Sequence, residues 1–173
     1  MTRVAAGFSS SGRLRLPPEE NPKGSHHLAG SNTKNAQLII AIDLNYCLEN
    51  NLSFTQETTL AGHRTVRTIK QARKQGYYIT MYYVGLSSME ESIDRITNRV
   101  RKGGHNIPID DVKRRYEKRI SSLSKVIPLC DEVIFYDNEN GFIKVAEVKN
   151  NKFQYFNGYK PKWIVEYKNA LRL

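Results

Sequence analysis

Residues 85–125 read GLSSMEESIDRITNRVRKGGHNIPIDDVKRRYEKRISSLSK, and the fold prediction is built outward from this stretch. Its first half has apolar residues at steps of four, three and four, which is one face of an α-helix. These residues are Met89, Ile93, Ile96 and Val100. Two overlapping Ser-x-x-Glu pairs, beginning at Ser87 and Ser88, fit a capping box at the start of this helix. Gly103 and Gly104 follow its last apolar residue and predict where it ends.

The second half of the stretch predicts another helix, which begins after Pro108. Asp110 and Asp111 lie in its first turn, where carboxylates interact favourably with the positive end of the helix dipole. Its predicted apolar face consists of Val112, Tyr116, Ile120, Leu123 and Ile127. Between residues 95 and 125 there are ten Lys or Arg against three Asp or Glu. This helix pair therefore carries most of the net charge of +10, and such a charge implies an anionic partner.

The residues that precede the helix pair predict a strand, a helix and a second strand. Residues 53–58 have strand character, and residues 62–75 have a helical pattern that ends at Gly76. Residues 77–86 (YYITMYYVGL) form an almost continuous apolar run, which is typical of a strand buried on both faces. This order predicts a βαβ unit in a parallel sheet, with the basic helices after the carboxyl end of the second strand. Ligands of open α/β sheets bind at that edge.

The two ends of the chain have different patterns. Residues 1–34 are rich in Ser, Gly, Pro and charge and predict a disordered or unrelated tail, followed by a helix over residues 38–49. Residues 132–136 predict a buried strand, and residues 142–148 and 152–156 predict a β-hairpin. Residues 161–171 predict a terminal helix, in which Trp163 packs into the core.

Composition narrows the class of protein. With 173 residues and 39% hydrophobic residues, the chain is long enough for one domain with a sizeable core. Cys47 and Cys130 have no metal-ligand or disulfide-framework spacing, which favours a reducing compartment. No apolar run reaches the roughly 18 to 20 residues that span a bilayer. We therefore expect a cytoplasmic protein without a membrane partner and without a metal site of its own.

Four motifs, taken in order, resemble one family. They are SF-x-x-ETTL-x-G at 53–62, G-Y-x-V/I at 76–79, R-V-x-x-GGH-x-I/V-P at 99–108 and R-R-Y at 114–116. In this order they are similar to the zeta-toxin-like kinases, and the similarity extends over about residues 36–140. The resemblance implies an α/β P-loop kinase-like three-layer fold with a mainly parallel sheet, an arginine-bearing helical lid and a small C-terminal hairpin. Residues 35–173 would form the C-terminal part of such a kinase domain.

The resemblance also implies the roles of particular residues. Glu57, Thr58 and Thr59 match the substrate-binding segment, where the acceptor in the toxin branch is UDP-N-acetylglucosamine. Arg99, His105, Arg114 and Arg115 match the ATP-binding lid, with Arg99 and Arg115 as the catalytic arginines. Phosphoryl transfer spreads negative charge over equatorial oxygens, which positioned Arg side chains and a metal ion stabilise. The resemblance therefore implies ATP and Mg²⁺ as cofactors and, because the branch consists of toxins, an antitoxin as partner.

The chain departs from the family in one respect. A P-loop needs G-x-x-x-x-G-K-S/T, because its backbone N–H groups and its Lys hold the β and γ phosphates. This sequence contains no Gly-Lys dipeptide, and residues 1–34 also lack the strand that ends in the acceptor-activating Asp. The sequence thus predicts an N-terminally truncated or degenerate member of the family.

The residues alone are compatible with three functions. The first is a zeta-type ATP-dependent phosphotransferase that keeps the acceptor glutamate and the arginine lid. The second is a basic nucleic-acid-binding module, which the net charge and the helix-turn-helix outline support. The third is a partner-binding chain whose missing strands are supplied by another polypeptide, because unpaired central strands promote association.

Overall fold

The computed structural model describes residues 3–9, 26–28 and 44–173, with the exception of residues 105, 140 and 157. Seven strands in these ranges form one sheet in the order β2-β3-β1-β4-β5-β6-β7. The strands are β1 (Arg3–Ser9), β2 (His26–Leu28), β3 (Phe54–Thr58), β4 (Tyr78–Gly85), β5 (Glu132–Asp137), β6 (Ile143–Lys149) and β7 (Lys152–Tyr155). The chain is therefore a mixed α/β protein, in agreement with the predicted fold class.

Six helices accompany the sheet in the described residues. Residues 44–49 are helical (α1), which agrees with the last part of the helix predicted over residues 38–49, whereas residues 38–43 lie outside the described residues. The others are α2 (His63–Lys74), α3 (Met89–Arg101), α4 (Ile109–Glu117), α5 (Arg119–Val126) and α6 (Lys162–Leu171), with a 3₁₀ turn at Ile127–Leu129. None of the helices in the described ranges is long and apolar enough to cross a membrane.

Local sequence signals place most of these elements correctly. The Ser88 hydroxyl accepts a hydrogen bond from the Glu91 backbone N–H at 3.1 Å, so the second of the two predicted capping pairs is the one that forms. Gly76 has φ +79° directly after α2, as a left-handed residue after a helix requires. Asn150 and Asn151 both have positive φ and join β6 to β7, and paired positive φ values are typical of a two-residue hairpin turn.

The N-terminal segment differs from its prediction at two places. β1 lies in the middle of the sheet and β2 lies at its edge, although residues 1–34 predict a disordered or unrelated tail. The prediction rests on composition averaged over the whole segment, whereas β1 is held by two long-range ladders that composition cannot reveal. Residues 1–2, 10–25 and 29–34 lie outside the described residues.

The direction of β1 also corrects the prediction of a mainly parallel sheet. β2 pairs with β3 and β4 pairs with β5 in parallel, but the other four pairings are antiparallel. β1 lies between β3 and β4 and opposes both, so these two strands point the same way without touching. The partner-binding hypothesis assumes that central strands of the sheet have no pairing partner within the chain. β3 and β4 do have one, because each of them pairs with β1.

The second helix of the basic pair is interrupted, which the sequence pattern did not predict. α4 ends at Glu117 and α5 begins at Arg119, with Lys118 as the joint. Arg119 Nη1 donates a hydrogen bond of 2.7 Å to the Tyr116 carbonyl. In a continuous helix that carbonyl accepts from the N–H four residues later, so the side chain competes with the helical bond.

An aromatic cluster joins the end of the sheet to α6. Tyr83 of β4, Phe135 of β5 and Trp163 and Tyr167 of α6 are each at most 1% exposed. Their ring centroids lie between 5.3 and 6.4 Å apart where the rings are in contact, which is the favourable range for aromatic pairs. Trp163 therefore packs in the core, as predicted, and α6 is fixed to β4 and β5.

We expect the folded protein to lose stability as the pH rises above about 9. Burial, and then the neighbouring carboxylate of Asp131, raise the pKa of Cys130 from 9.0 to about 12. Burial, and then Glu132, raise the pKa of Tyr82 from 10.0 to about 12. In the unfolded chain both groups ionise at lower pH, so alkali favours unfolding between about pH 9 and 12.

Urea unfolding followed by circular dichroism between pH 7 and 11 tests this expectation. Cys130→Ala removes one of the two titrating groups and should make the decline in unfolding free energy shallower. An unfolding free energy that stays constant up to pH 11 would contradict the expectation.

Candidate functional site

A cavity of about 200 Å³ lies beyond the carboxyl ends of β3 and β4, beside the basic helices. The turn that follows β3 forms one wall, and Leu60 in this turn has φ +55°. Tyr83 of β4 lies at the base of the cavity, and α3, α4 and α5 complete it. Other lining residues include Thr59, Ser92, Ile96, Val112, Arg115, Tyr116, Arg119 and Ser122. The cavity therefore lies at the edge where the sequence predicts a ligand.

Arg115 is the predicted lid arginine that lines this cavity with a largely buried side chain. Its side chain is 22% exposed, and its Nη2 lies 4.0 Å from Asp111 Oδ2. Its Nε is buried and has no hydrogen-bond partner among the described residues. Arg114 also borders the cavity, but its side chain is 60% exposed and donates to Asp111 Oδ1 at 2.7 Å. Arg114 is thus a residue of the rim.

Arg119 is a cavity residue that the motif comparison did not select. Its guanidinium carbon lies 3.7 Å from the ring centroid of Tyr116 and 5.6 Å from that of Tyr167. Its Nε, like that of Arg115, is buried without a hydrogen-bond partner in the described part of the chain. The signal that could have identified it is its spacing of three from Tyr116, which places the two side chains on one helical face.

Arg99 lies on α3 under the glycine turn and is not among the residues that line the cavity. The Gly104 N–H donates to the Arg99 carbonyl at 2.9 Å. A Cβ at Gly104 would lie 2.5 Å from Arg99 Cγ, so the absence of a side chain lets the turn pack directly on this arginine. His105, the remaining predicted ATP contact, lies outside the described residues.

The predicted acceptor segment is only partly in the cavity. Thr59 lines it, whereas Glu57 is exposed on β3, opposite Ala5 of β1, and does not. Thr58 has a structural position, because its hydroxyl is 2.8 Å from that of Thr65 and accepts from the Leu60 N–H at 3.1 Å. These bonds hold the turn after β3 against the start of α2. The structure thus brings Thr59, Arg115 and Arg119 together but leaves Glu57 outside the group.

The end of β5 holds a second polar cluster next to the cavity wall. Asp137 is fully buried, and its carboxyl group accepts from Trp163 Nε1 at 2.8 Å and from the Tyr159 hydroxyl and the Glu139 N–H at 3.2 Å. Arg95 of α3 donates to the Asn138 carbonyl and pairs with Glu91 at 2.6 Å. These contacts tie α3 and α6 to the carboxyl end of the sheet.

Two tyrosine hydroxyls near the arginines remain protonated at neutral pH. Burial is the main cause that raises the pKa of Tyr167, although its hydrogen bonds with Tyr83 and Arg119 act in the opposite direction. Burial also raises the pKa of Tyr116 against the opposing charge of Arg119. The two phenols therefore add no negative charge beside Arg119 at neutral pH.

A mixed α/β sheet with an arginine-lined cavity beyond its strand ends is an arrangement typical of proteins that bind phosphorylated ligands. The chain belongs to the zeta toxin family, which its residues 20–146 match. This membership suggests a kinase-like phosphotransferase fold and the use of ATP and Mg²⁺ by related proteins. The match begins inside the predicted tail and ends before α6.

The chain is also similar to an uncharacterized protein of Haemophilus influenzae, with 35% identity over 71 residues. The similar region covers 41% of this chain and 51% of the relative, so this chain spans about half the length of that protein. No solved structure matches the chain.

Proposed function

We propose that the cavity between the turn after β3 and helices α3 to α5 binds the phosphate of a nucleotide or nucleotide sugar. The chain would thus retain the phosphate-binding lid of a zeta-type phosphotransferase. The observation that carries the proposal is the pair of arginines, Arg115 and Arg119, whose buried Nε groups have no partner among the described residues.

The unpaired N–H groups favour an anionic ligand for energetic reasons. A buried donor without a partner costs about 1 to 3 kcal/mol, and more when the group is charged. An oxyanion in the cavity would accept hydrogen bonds from the two guanidinium groups that line it, and guanidinium is the side chain that binds phosphate oxygens in pairs. The cavity is smaller than the roughly 300 to 1,000 Å³ of a typical ligand pocket, so it fits a phosphate group better than a whole nucleotide.

The described residues do not fit the family's site for Mg²⁺ and ATP. A P-loop follows the carboxyl end of its strand, but the carboxyl end of β1 lies at the edge opposite to the cavity, since Ser9 pairs with Tyr78 at the start of β4. No group of three or more His, Cys, Asp or Glu in the described ranges could hold a metal ion. The proposal for this chain is therefore phosphate binding, without a transfer step. UDP-N-acetylglucosamine as acceptor and an antitoxin as partner stay predictions.

Nucleic-acid binding is a second candidate, and α2 favours it. This helix has no acidic residue, and its exposed side carries Arg64, Arg67, Lys70 and Lys74. A row of cations on one helix binds phosphate backbones without sequence preference, and such binding weakens steeply with added salt. This surface is separate from the cavity, so the two functions can be tested by different variants.

Arg115→Gln and Arg119→Gln are each expected to weaken pyrophosphate binding by roughly ten- to a hundredfold, since each removes charged hydrogen bonds. Isothermal titration calorimetry at 0.15 M salt measures this effect. Arg115→Lys should restore only part of the affinity, because lysine keeps the charge but loses the planar fork.

Two matched controls accompany these variants. Lys113→Gln removes one exposed charge from α4 and should change pyrophosphate affinity by less than about twofold, because solvent and salt screen that charge. If it weakens binding as much as Arg115→Gln, the attraction is diffuse and the cavity is not the site. Weaker oligonucleotide binding by Lys70→Gln, together with an absence of pyrophosphate binding in the parent, would instead support the nucleic-acid function.

A further inference from the structure

Helix α6 lies beyond the part of the chain that matches the zeta toxin family, yet it packs directly behind the cavity. The family match ends at residue 146, and α6 spans Lys162–Leu171. Its buried residues are Trp163, Ile164 and Tyr167. Among these, Tyr167 contacts two residues of the cavity wall without lining the cavity itself.

The first contact of Tyr167 is with Arg119. The guanidinium carbon is 5.6 Å from the centre of the Tyr167 ring and 3.7 Å from that of Tyr116, so the cation faces two aromatic rings. One of its Nη atoms is also held by the Tyr116 carbonyl. A guanidinium with aromatic and carbonyl contacts of this kind is restricted to few orientations, and its buried Nε has no hydrogen-bond partner among the described residues.

The second contact of Tyr167 connects it to the sheet. Its hydroxyl lies 3.0 Å from that of Tyr83, a buried hydrogen bond between α6 and the strand at the base of the cavity. The ring also packs on Trp163, with centroids 5.3 Å apart, and Trp163 is in turn bound to Asp137. Tyr167 is therefore itself fixed in place before any ligand arrives.

We propose that Tyr167 is a positioning residue, which holds the Arg119 guanidinium in the orientation that binds an oxyanion, so that α6 sets the anion affinity of the cavity. This inference rests on the proposed phosphate-binding function. An unrestrained arginine loses much rotational freedom when it binds a ligand, whereas a side chain that is already ordered loses little. Removing the Tyr167 ring should thus lower affinity although no group that touches the ligand is lost.

Two substitutions separate the ring of Tyr167 from its hydroxyl. Tyr167→Phe keeps the ring face that contacts Arg119 and loses only the hydroxyl with its hydrogen bonds to Tyr83 and Arg119, so it should bind pyrophosphate within about threefold of the parent. Tyr167→Leu removes both contacts with Arg119 and should weaken binding by about five- to tenfold. The control for lost stability is Ile69→Val, a buried change on α2 that does not line the cavity. It should leave the affinity unchanged, and calorimetry is performed well below the melting temperature of every variant.

A double-variant cycle distinguishes positioning from a general structural role. If Tyr167 acts through Arg119, then Tyr167→Leu should weaken binding in the parent and have no further effect in the Arg119→Gln background. The NMR signal of Arg119 Nε–H gives a readout without ligand, because the neighbouring rings shift it and Tyr167→Leu should return it towards the position of an exposed arginine.

The outcomes are distinguishable. If the parent and Tyr167→Leu bind pyrophosphate equally well, this inference is wrong and the proposed function stands. The same holds if Tyr167→Leu lowers the affinity equally in the parent and in the Arg119→Gln background. A parent that does not bind pyrophosphate would overturn both. We expect Tyr167→Leu to lower the affinity only when Arg119 is present and to shift the NMR signal of Arg119 Nε–H.

Discussion

Asp137→Ala is expected to lose about 3 kcal/mol of unfolding free energy or more, because it leaves buried hydrogen-bond donors without an acceptor. Asp137 is fully buried, and the indole N–H of Trp163, which donates to it at 2.8 Å, is buried as well. The Tyr159 hydroxyl and the Glu139 N–H also lose their acceptor, but water can reach them more easily. Chemical denaturation monitored by circular dichroism measures the loss.

The matched variant is Asp137→Asn, which keeps the size of the side chain and one acceptor oxygen. It should lose clearly less than Asp137→Ala, since the Trp163 bond can survive. Equal losses for the two variants would mean that side-chain size and one retained acceptor oxygen do not preserve stability, so the hydrogen bond from Trp163 would not explain the contribution of Asp137.

Gly85→Ala is expected to lose about 2 to 3 kcal/mol, because the added methyl group has no space. An ideal Cβ at Gly85 would lie 2.4 Å from two atoms of the Trp163 indole, and that indole is 1% exposed. The ring cannot move towards solvent, so either the end of β4 or helix α6 must shift. Urea unfolding gives the loss of stability directly.

Gly158→Ala is the control for Gly85→Ala, because at that exposed position no heavy atom of the described residues, apart from the chain neighbours, lies within 4 Å of the added carbon. Its unfolding free energy should stay within about 0.5 kcal/mol of the parent. A second check is the Gly85→Ala, Trp163→Phe double variant. The smaller ring should relieve the clash, so losses that simply add would show that the steric explanation is wrong.

Signals that act over a few residues were sufficient to predict many of the elements. The cap at Ser88, the left-handed Gly76 and the Asn150–Asn151 turn each depend on neighbours in the sequence, and each was found at the expected place. The same holds for α6 and for Trp163 in the core, because the apolar residues of this segment recur at helical spacing.

Pairings between distant segments could not be predicted in this way. Val4 of β1 lies opposite Thr58 on one side and Tyr83 on the other, and nothing in residues 3–9 indicates either partner. The same reason applies within the site. Arg114 and Arg115 are adjacent in sequence and both border the cavity, and only the packing of α4 leaves the first side chain 60% exposed and the second 22% exposed.

Arg119 is the clearest example of a site residue whose surroundings cannot be predicted from its neighbours in sequence. Its sequence context resembles a solvated basic helix face, and one of the two rings that hold it belongs to α6, in a different part of the chain. Glu57 shows the opposite case, because the motif indicates a substrate contact but the structure leaves its side chain exposed and outside the cavity. A residue pattern gives the chemistry of a side chain, whereas its direction depends on elements that pack around it.

Trp163 is the single tryptophan in the chain, and this gives the protein an intrinsic optical reporter. Its indole is buried among Tyr83, Phe135 and Tyr167 and is hydrogen-bonded to Asp137. Its fluorescence emission therefore comes from one known place, between α6 and the ends of β4 and β5, without contributions from elsewhere. Movement of α6 against the sheet would change the wavelength of this emission, and tyrosine-to-tryptophan energy transfer would follow the same movement independently.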